Sequence, residues 1–193
     1  MEKDRLAAFS DGVIAVIITI MVLELKAPHD ASLSALNEAA PVFLSYVLSF
    51  LYVAIYWNNH HHFFMLVGRV SGAVLWANLH VLFWLSLIPF ATSWLGEHPT
   101  APVPTALYGA SLLMPAIAWY GLQLALFRQQ KDEGAALAQA LGGDLKGKLS
   151  PFLYLAGIAL AFVDTLISDA IYVFVALHWL IPDRRIERAL KHQ

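Results

Sequence analysis

An aspartate stands in the first turns of a strongly apolar stretch, residues 5–28, with the sequence RLAAFSDGVIAVIITIMVLELKAP. An ionised carboxylate deep in a bilayer costs about 2.5–3.5 kcal/mol on insertion scales. At the rise of an α-helix, Asp11 lies about 9 Å along the axis from Arg5, below the membrane interface but not central. We therefore expect Asp11 to face protein or water. There it pins a neighbouring helix, anchors a helix whose other face carries the function, or does both.

The same stretch contains a stripe of residues with helical spacing. Gly12, Val16, Thr19, Leu23 and Lys26 recur at intervals of four, three, four and three, so they share one face of an α-helix. From its start the stripe is small, then apolar, then hydroxylated, then apolar again. Periodicity alone favours a face against lipid or another helix over a face that lines a pore.

The histidines are the residues that could bind a metal or a haem. His60, His61 and His62 are consecutive, so on a regular helix their side chains point about 100° apart and cannot all reach one ion. His80 and His178 could hold a haem or metal between helices, although hydrogen-bonding interfacial histidines are the ordinary interpretation. No nucleophile–base pair, phosphate loop or carboxylate cluster stands out, and the chain has no cysteine. We therefore predict no enzyme and no resident metal or cofactor.

The composition indicates a membrane protein. Of the 193 residues, 59% are hydrophobic and 13% are charged, whereas about a quarter are charged in soluble domains. The long apolar runs predict an all-α polytopic membrane protein, a single domain over residues 1–193 with six transmembrane helices. The expected spans are residues 6–25, 40–57, 70–95, 105–127, 150–166 and 168–181. The polar residues 58–62 end the second span, and a turn at Ile167-Ser168 joins the last two in a tight hairpin.

The placement of basic residues predicts the orientation in the membrane. With six spans, every Lys and Arg except Lys26 falls on the side that holds both chain ends. An excess of Lys and Arg marks the cytoplasmic side of a membrane protein. We therefore expect a multi-pass protein of the cell membrane with cytoplasmic N- and C-termini, surrounded by lipid and with no nucleic-acid partner.

Short motifs along the chain resemble one family of ion channels. Arg5, Phe9, Ser10 and Asp11, spaced as RxxxFSD near the start of the first span, form the most specific motif. Supporting motifs are Leu23-Glu24-Leu25, Pro28, His61-His62, Asn78-Leu79-His80, Phe83-Trp84 and residues 86–90, SLIPF. With its six spans and its length, the whole chain resembles the prokaryotic relatives of the endolysosomal potassium channel called transmembrane protein 175.

The resemblance implies a potassium-permeable cation channel, a homotetramer of six-helix subunits whose first helices line a central pore. Potassium and other monovalent cations would be permeant ions rather than cofactors, with modest selectivity. Rings of Val16, Thr19 and Leu23 would line the pore, and these residues belong to the stripe described above. Ile20 is a neighbouring candidate because a small helix rotation would exchange it for Thr19. A bulkier Ile or Leu is expected at the narrowest ring in place of Val16, so the main constriction is expected at Leu23.

The resemblance also gives the motif a supporting role. Arg5, Ser10 and Asp11 would form a packing and hydrogen-bonding network behind the pore helix. His80 of the third span is the expected partner, and Asn78 lies close to it in sequence. In this role Asp11 would not need to touch the ion.

A secondary transporter is the main alternative function. Its sequence marks would be two related halves or broken helices at matching positions. Neither mark is visible, although Pro115 could kink the fourth span. Asp164 and Asp169 flank the turn between the last two spans, where they are expected to face water or cap helix ends rather than carry protons.

Overall fold

The protein, seen in a computed structural model, is all α-helical over the residues that the structure describes, which are 3–65, 67–129 and 145–180. The predicted all-α class is confirmed. The helices of this part of the chain are α1 (Lys3–Leu23), α2 (Leu33–Glu38), α3 (Ala40–Met65), α4 (Gly72–Leu85), α5 (Ile88–Glu97), α6 (Pro102–Gln129), α7 (Leu145–Leu160) and α8 (Thr165–Leu180).

The helices have the lengths and composition of a multi-pass membrane protein. Four segments are long and apolar enough to cross a membrane, namely Lys3–Leu23, Ala40–Met65, Gly72–Glu97 and Pro102–Gln129. Two shorter apolar helices are Gly147–Leu160 and Thr165–Leu180. At 16 residues each, α7 and α8 are about 24 Å long, less than a hydrocarbon core of about 30 Å. The short α2 was not predicted from the sequence pattern.

The end of α3 lies beyond the predicted one. The polar residues 58–62 do not stop the helix, which continues to Met65. His60, Phe63 and Phe64 are buried, and the rings of His60 and Phe64 stack with centroids 4.4 Å apart. Because these side chains pack inside the protein, tertiary contacts extend the helix through a stretch whose polarity suggested an exit from the membrane.

The hairpin between α7 and α8 turns at residues 161–164, before the predicted Ile167-Ser168. The backbone N–H of Leu166 donates to Asp164 Oδ1 at 2.9 Å, which satisfies one of the free amides at the start of α8. Ser168 lies inside α8, and its Oγ donates to the carbonyl of Gly157 in α7 at 2.8 Å. The serine predicted in the turn therefore joins the two helices instead.

A break divides the third apolar segment at Ser86 and Leu87, between α4 and α5. Pro89 lies in the first turn of α5. Proline has no backbone N–H, and its ring crowds the carbonyl four residues earlier, so a continuous helix is disfavoured here. A first helical turn accepts proline without this penalty. The sequence pattern had placed Pro89 near the end of one unbroken span.

Two buried clusters hold the helices together. The first joins the back of α1 to α3, α4 and α6, and it fixes the rotation of α1 about its own axis. The second lies among α3, α5, α6, α7 and α8 and contains the buried tyrosines Tyr52, Tyr108, Tyr154 and Tyr172. Tyr172 Oη donates to the carbonyl of Thr105 at 3.3 Å.

Glycine makes room for Tyr172 at the centre of the second cluster. A methyl group added at Gly109 would lie 2.7 Å from Tyr172 Cζ and 2.8 Å from Ile158 Cγ1. We expect Gly109→Ala to destabilise the protein by about 1–3 kcal/mol, because overpacking outweighs the better helix propensity of alanine. Gly121→Ala on the same helix is the matched control, since its methyl would have nothing within 4 Å.

The measurement is the temperature at which each purified variant stops eluting as a monodisperse detergent-solubilised species. Gly109→Ala should lose this species at a lower temperature than the wild type, and Gly121→Ala should not. Equal temperatures for the two variants would mean that the contact with Tyr172 is not tight.

Candidate functional site

Helix α1 has one buried face and one open face. Leu6, Ser10, Ile14, Ile17 and Met21 are each at most 2% exposed, and they pack against the rest of the subunit. Four residues of the predicted stripe, Gly12, Val16, Thr19 and Leu23, lie on the opposite side, since a helix turns by about 100° per residue. The fifth, Lys26, lies beyond the end of α1. Val16 is 56% exposed and Leu23 is 73% exposed. The stripe is therefore not a packing face within the subunit, and it faces whatever surrounds the subunit.

Ile20 lies at the edge of the open face. Its side chain is 43% exposed, and it is about 100° around the helix from Thr19. Thr19 and Ile20 are thus both accessible, but Thr19 lies nearer the midline defined by Gly12, Val16 and Leu23.

The hydroxyl of Thr19 has a defined orientation. Its Oγ1 donates to the carbonyl of Ala15, one turn back, at 2.8 Å. Because this bond uses the only hydroxyl proton, the oxygen presents lone pairs alone to its surroundings. On the open face of α1, Thr19 therefore offers an acceptor to a cation and no donor.

A directional chain of hydrogen bonds lies behind α1. Asn78 Nδ2 of α4 donates to Ser10 Oγ at 2.9 Å, and Ser10 Oγ donates to the carbonyl of Leu6 at 2.9 Å. Asn78 Oδ1 lies 2.8 Å from His60 Nε2 of α3. Since the amide oxygen can only accept, His60 must carry its proton on Nε2. Ser10, His60 and Asn78 are all buried, so the chain ties α1, α3 and α4 together in the protein interior.

Asp11 is held by α3. The indole N–H of Trp57 donates to Asp11 Oδ1 at 3.0 Å, and the Trp57 ring stacks on His61 with centroids 6.0 Å apart. The aspartate therefore pins a neighbouring helix, one of the two roles expected from the sequence. Its position on the helix is away from the stripe.

The expected partner His80 lies elsewhere. Its Nε2 accepts a hydrogen bond from Trp84 Nε1 at 2.8 Å, and its side chain is exposed on α4. In place of His80, Asn78 bonds to Ser10 and links it to His60, and Trp57 bonds to Asp11. Arg5 and Phe9 of the motif are exposed on α1, outside this network.

Helical spacing is a weak indication of the partners that were not predicted. Trp57, His60 and Phe64 follow each other at intervals of three and four, the spacing of one helical face. The histidines were expected to be interfacial, but His60 is buried together with Phe64, whereas Trp57 is 44% exposed. Within residues 3–65, 67–129 and 145–180, no group of three or more His, Asp or Glu is placed to hold a metal ion.

We expect Asn78→Leu to destabilise the protein by about 2–4 kcal/mol, because it leaves Ser10 and His60 buried with one fewer partner each. Ser10→Ala should destabilise less, since it removes one of the polar groups along with its bonds. The exposed Ser86, which follows α4 and whose Oγ donates to the carbonyl of Phe83 in that helix at 2.7 Å, provides the control Ser86→Ala. Thermal stability in detergent is the readout. If the Asn78→Leu variant were as stable as the Ser86→Ala variant, the chain of hydrogen bonds would have no structural role.

The chain is similar to known channel proteins along its whole length. Residues 5–89 match the family described as "Endosomal/lysosomal potassium channel TMEM175". A potassium channel of Chryseobacterium sp. is 51% identical over 99% of this chain and 99% of that protein. A potassium channel of Streptomyces collinus is 32% identical over 92% of this chain and 91% of that protein.

The fold is also similar to a solved structure. The crystal structure of a lysosomal potassium-selective channel TMEM175 homologue from Chamaesiphon minutus superposes with a TM-score of 0.80. The two sequences are 30% identical, and the match covers 94% of this chain and 97% of the other. The similarity thus includes the arrangement of the helices as well as the motifs.

Proposed function

The chain belongs to the TMEM175 family, and from this premise we propose that it is a potassium-permeable channel whose pore is lined by α1. The observation that carries the proposal is the open face of α1, where Val16, Thr19 and Leu23 are exposed while the opposite face is buried. The buried face of α1 fixes the position of the helix in the subunit. The exposed face remains available to line a pore.

The assembly that completes the pore is a homotetramer. Four copies of α1 around one axis place four Val16, four Thr19 and four Leu23 side chains in three successive rings. The whole chain acts as a single channel domain, in which α7 packs against α6 and α8 packs against α3, α6 and α7.

The apolar rings form the barrier to ion passage. Four Leu23 side chains close to the axis exclude water, and a constriction without water is a barrier that an ion crosses only when the ring opens or wets. Leu23 is the narrowest ring because Val16 has the smaller side chain. Gating by wetting at Leu23 needs no additional domain.

The Thr19 ring supplies the preference among cations. Four oxygens with only lone pairs directed outward can replace part of the hydration shell of a cation. Potassium is hydrated less tightly than sodium, so partial dehydration costs potassium less. Four hydroxyls replace a shell less completely than stacked carbonyl rings do, and the selectivity is therefore modest.

The test is ion flux through purified protein in liposomes. A potassium gradient should drive flux that grows linearly with driving force, with sodium flux smaller but measurable. Protein-free liposomes processed in the same way are the control. Flux that saturates and requires a second, coupled ion would identify a transporter, and absent flux in vesicles that contain the assembled protein would overturn the proposal.

Both termini lie in the cytoplasm of the cell in which the channel resides. The excess of Lys and Arg on one side supports this orientation.

Cysteine labelling tests this orientation. Because the chain has no cysteine, Gln193→Cys introduces a unique thiol. We expect a membrane-impermeant thiol reagent to label it only after the cells are permeabilised, whereas Asp30→Cys in the segment before α2 should react in intact cells. The reverse pattern would invert the orientation.

A further inference from the structure

His80 has a hydrogen-bond donor that the subunit does not use. The indole N–H of Trp84 can only donate, so His80 Nε2, at 2.8 Å, must accept with its lone pair. The ring proton of His80 is therefore on Nδ1. Among the residues that the structure describes, none accepts this Nδ1–H. One nitrogen of the ring is thus satisfied, and the other is a donor without an acceptor.

This donor lies on an apolar face within the membrane. His80 is about 12 Å from the start of α4 at Gly72. Its neighbours on the exposed side of α4 are Trp76 and Phe83, which are 76% and 55% exposed. Hydrocarbon offers no acceptor, so a donor that faces lipid here would be unsatisfied. This face of α4 is therefore better suited to a protein surface with an acceptor than to lipid.

Asp11 has an acceptor that is also unused. Its Oδ1 accepts from Trp57 Nε1 at 3.0 Å, but no group within residues 3–65, 67–129 and 145–180 donates to its Oδ2. Asp11 is only partly buried, and Trp57 is 44% exposed. The carboxyl group therefore lies at the edge of the subunit where α3 flanks α1, and it is open to a donor from outside.

The donor and the acceptor lie on opposite flanks of α1. Trp57 of α3 bonds to Asp11, whereas Ser93 of α5 bonds to Glu24. Asp11 and Glu24 point about 140° from each other on the helix, so α3 is on one flank and the broken span of α4 and α5 is on the other. Contacts in a closed ring are heterologous. With α1 at the axis, each copy therefore presents its α3 flank to one neighbour and its α4–α5 flank to the other.

The two groups also lie at the same height in the membrane. The bond from Asn78 to Ser10 places these two residues at one level. As the first and third spans, α1 and α4 run in the same direction, so Asp11 and His80 are about 1.5 Å and 3 Å beyond that level. Rotation about an axis along the membrane normal does not change height. His80 of one copy is therefore level with Asp11 of the next.

We propose that His80 Nδ1–H donates to Asp11 Oδ2 of the next subunit and that this hydrogen bond, repeated four times, closes the ring. The inference rests on the proposed function, because it needs four α1 helices around one axis. The face of α4 that carries Trp76 and Phe83 in one copy packs against the edge of α1 and α3 at Trp57 in the next. Each contact satisfies a donor and an acceptor that a single subunit leaves open.

Cross-linking between differently tagged chains tests the pairing, because the chain has no cysteine. Asp11→Cys in one chain and His80→Cys in the other are co-expressed, and the membranes are treated with a short bifunctional methanethiosulfonate before solubilisation. We expect a dimer that carries both tags and disappears on reduction. Ser86→Cys with Asp11→Cys is the matched control. The exposed Ser86 is about 9 Å farther along the same span, and the control pair should give at least about tenfold less dimer.

The contribution of the bond is measured as tetramer dissociation in detergent. For His80→Ala, half of the tetramer should dissociate at a protein concentration at least about tenfold higher than for the wild type. His80→Gln should retain most of the tetramer, because its amide can accept from Trp84 and donate to Asp11. In an Asp11→Ala background, His80→Ala should have little further effect, since its partner is already absent.

The inference is wrong if both thiols react without forming a doubly tagged dimer, or if the control pair forms as much dimer. It is also wrong if His80→Ala weakens the tetramer equally with and without Asp11→Ala. Potassium flux through wild-type protein in liposomes separates these results from a failure of the proposed function. A conducting wild type without the cross-link would remove only the bond between subunits. A cross-linked tetramer without potassium flux would remove the proposed function.

Discussion

Replacing Leu23 with alanine should raise potassium conductance several-fold and weaken the preference for potassium over sodium. In each subunit a methyl group replaces the isobutyl side chain at the narrowest ring, so the constriction widens and admits water. A barrier lower by about 1 kcal/mol corresponds to about a fivefold faster passage. Because ions then keep more of their hydration shells, they are discriminated less. The side chain is 73% exposed within the subunit, so Leu23→Ala should leave the fold intact.

Single-channel recording and liposome flux measure this effect. Leu44→Ala is the matched control, because Leu44 in α3 is 65% exposed and undergoes the same chemical change away from α1. It should conduct like the wild type. If Leu23→Ala assembled normally and also conducted like the wild type, Leu23 would not form the constriction.

Replacing Thr19 with valine should reduce the preference for potassium with little change in pore size. Valine keeps the branched shape of threonine but replaces the hydroxyl with a methyl group, so the ring loses the oxygens that substitute for hydration water. The bond from Thr19 Oγ1 to the carbonyl of Ala15 is also lost, but an α-helical carbonyl keeps its backbone partner. The expected result is a lower potassium-to-sodium permeability ratio, measured as a shift of reversal potential under bi-ionic conditions.

Thr19→Ser separates the hydroxyl from the shape. It retains the oxygen and removes a methyl group, so it should keep most of the potassium preference. Ile20→Val tests the neighbouring position at the edge of the open face. Selectivity lost equally in Thr19→Ser and Thr19→Val, or lost in Ile20→Val alone, would contradict the assignment of the polar ring to Thr19.

The open face of α1 was predictable because helical geometry is local. A repeat of three and four places Gly12, Val16, Thr19 and Leu23 on one side whatever surrounds the helix. The structure adds that the opposite side is occupied by the subunit. Lipid and a hydrophobic pore both accept apolar side chains, and for this reason periodicity alone favoured lipid or packing until the family resemblance was considered.

The helix boundaries were less predictable because they depend on contacts. The polar residues after Trp57 look like an exit from the membrane, but His60 is buried against Phe64 and the helix continues. Ser168 looks like a turn residue, but its hydroxyl bonds to Gly157 in the adjacent helix. In both cases a polar side chain is hydrogen-bonded inside the protein, and polarity in the sequence does not distinguish that from exposure.

A hydrogen-bonding network behind α1 was predicted, but some of the residues that form it were not. Asn78 and His80 are two residues apart, so they point about 160° from each other on α4 and cannot both face Ser10. The motif contains both, and only the packing of α4 against α1 selects Asn78. Trp57 is the last residue of the predicted second span and bonds to Asp11, whereas His60 enters because α3 continues past that predicted end.

The most direct test of a pore lined by α1 is a cysteine scan of this helix in a chain that has no cysteine of its own. Single cysteines replace Val16, Thr19 and Leu23 on the open face, and Ile14, Ile17 and Met21 on the buried face. Silver ions, which enter cation pathways, are applied while potassium current is recorded. Our account predicts rapid, irreversible block of cysteines 16, 19 and 23 and little effect at 14, 17 and 21. The pore would lie elsewhere if silver blocked only the variants at buried positions. The same would follow if all six variants conducted and silver blocked none of them.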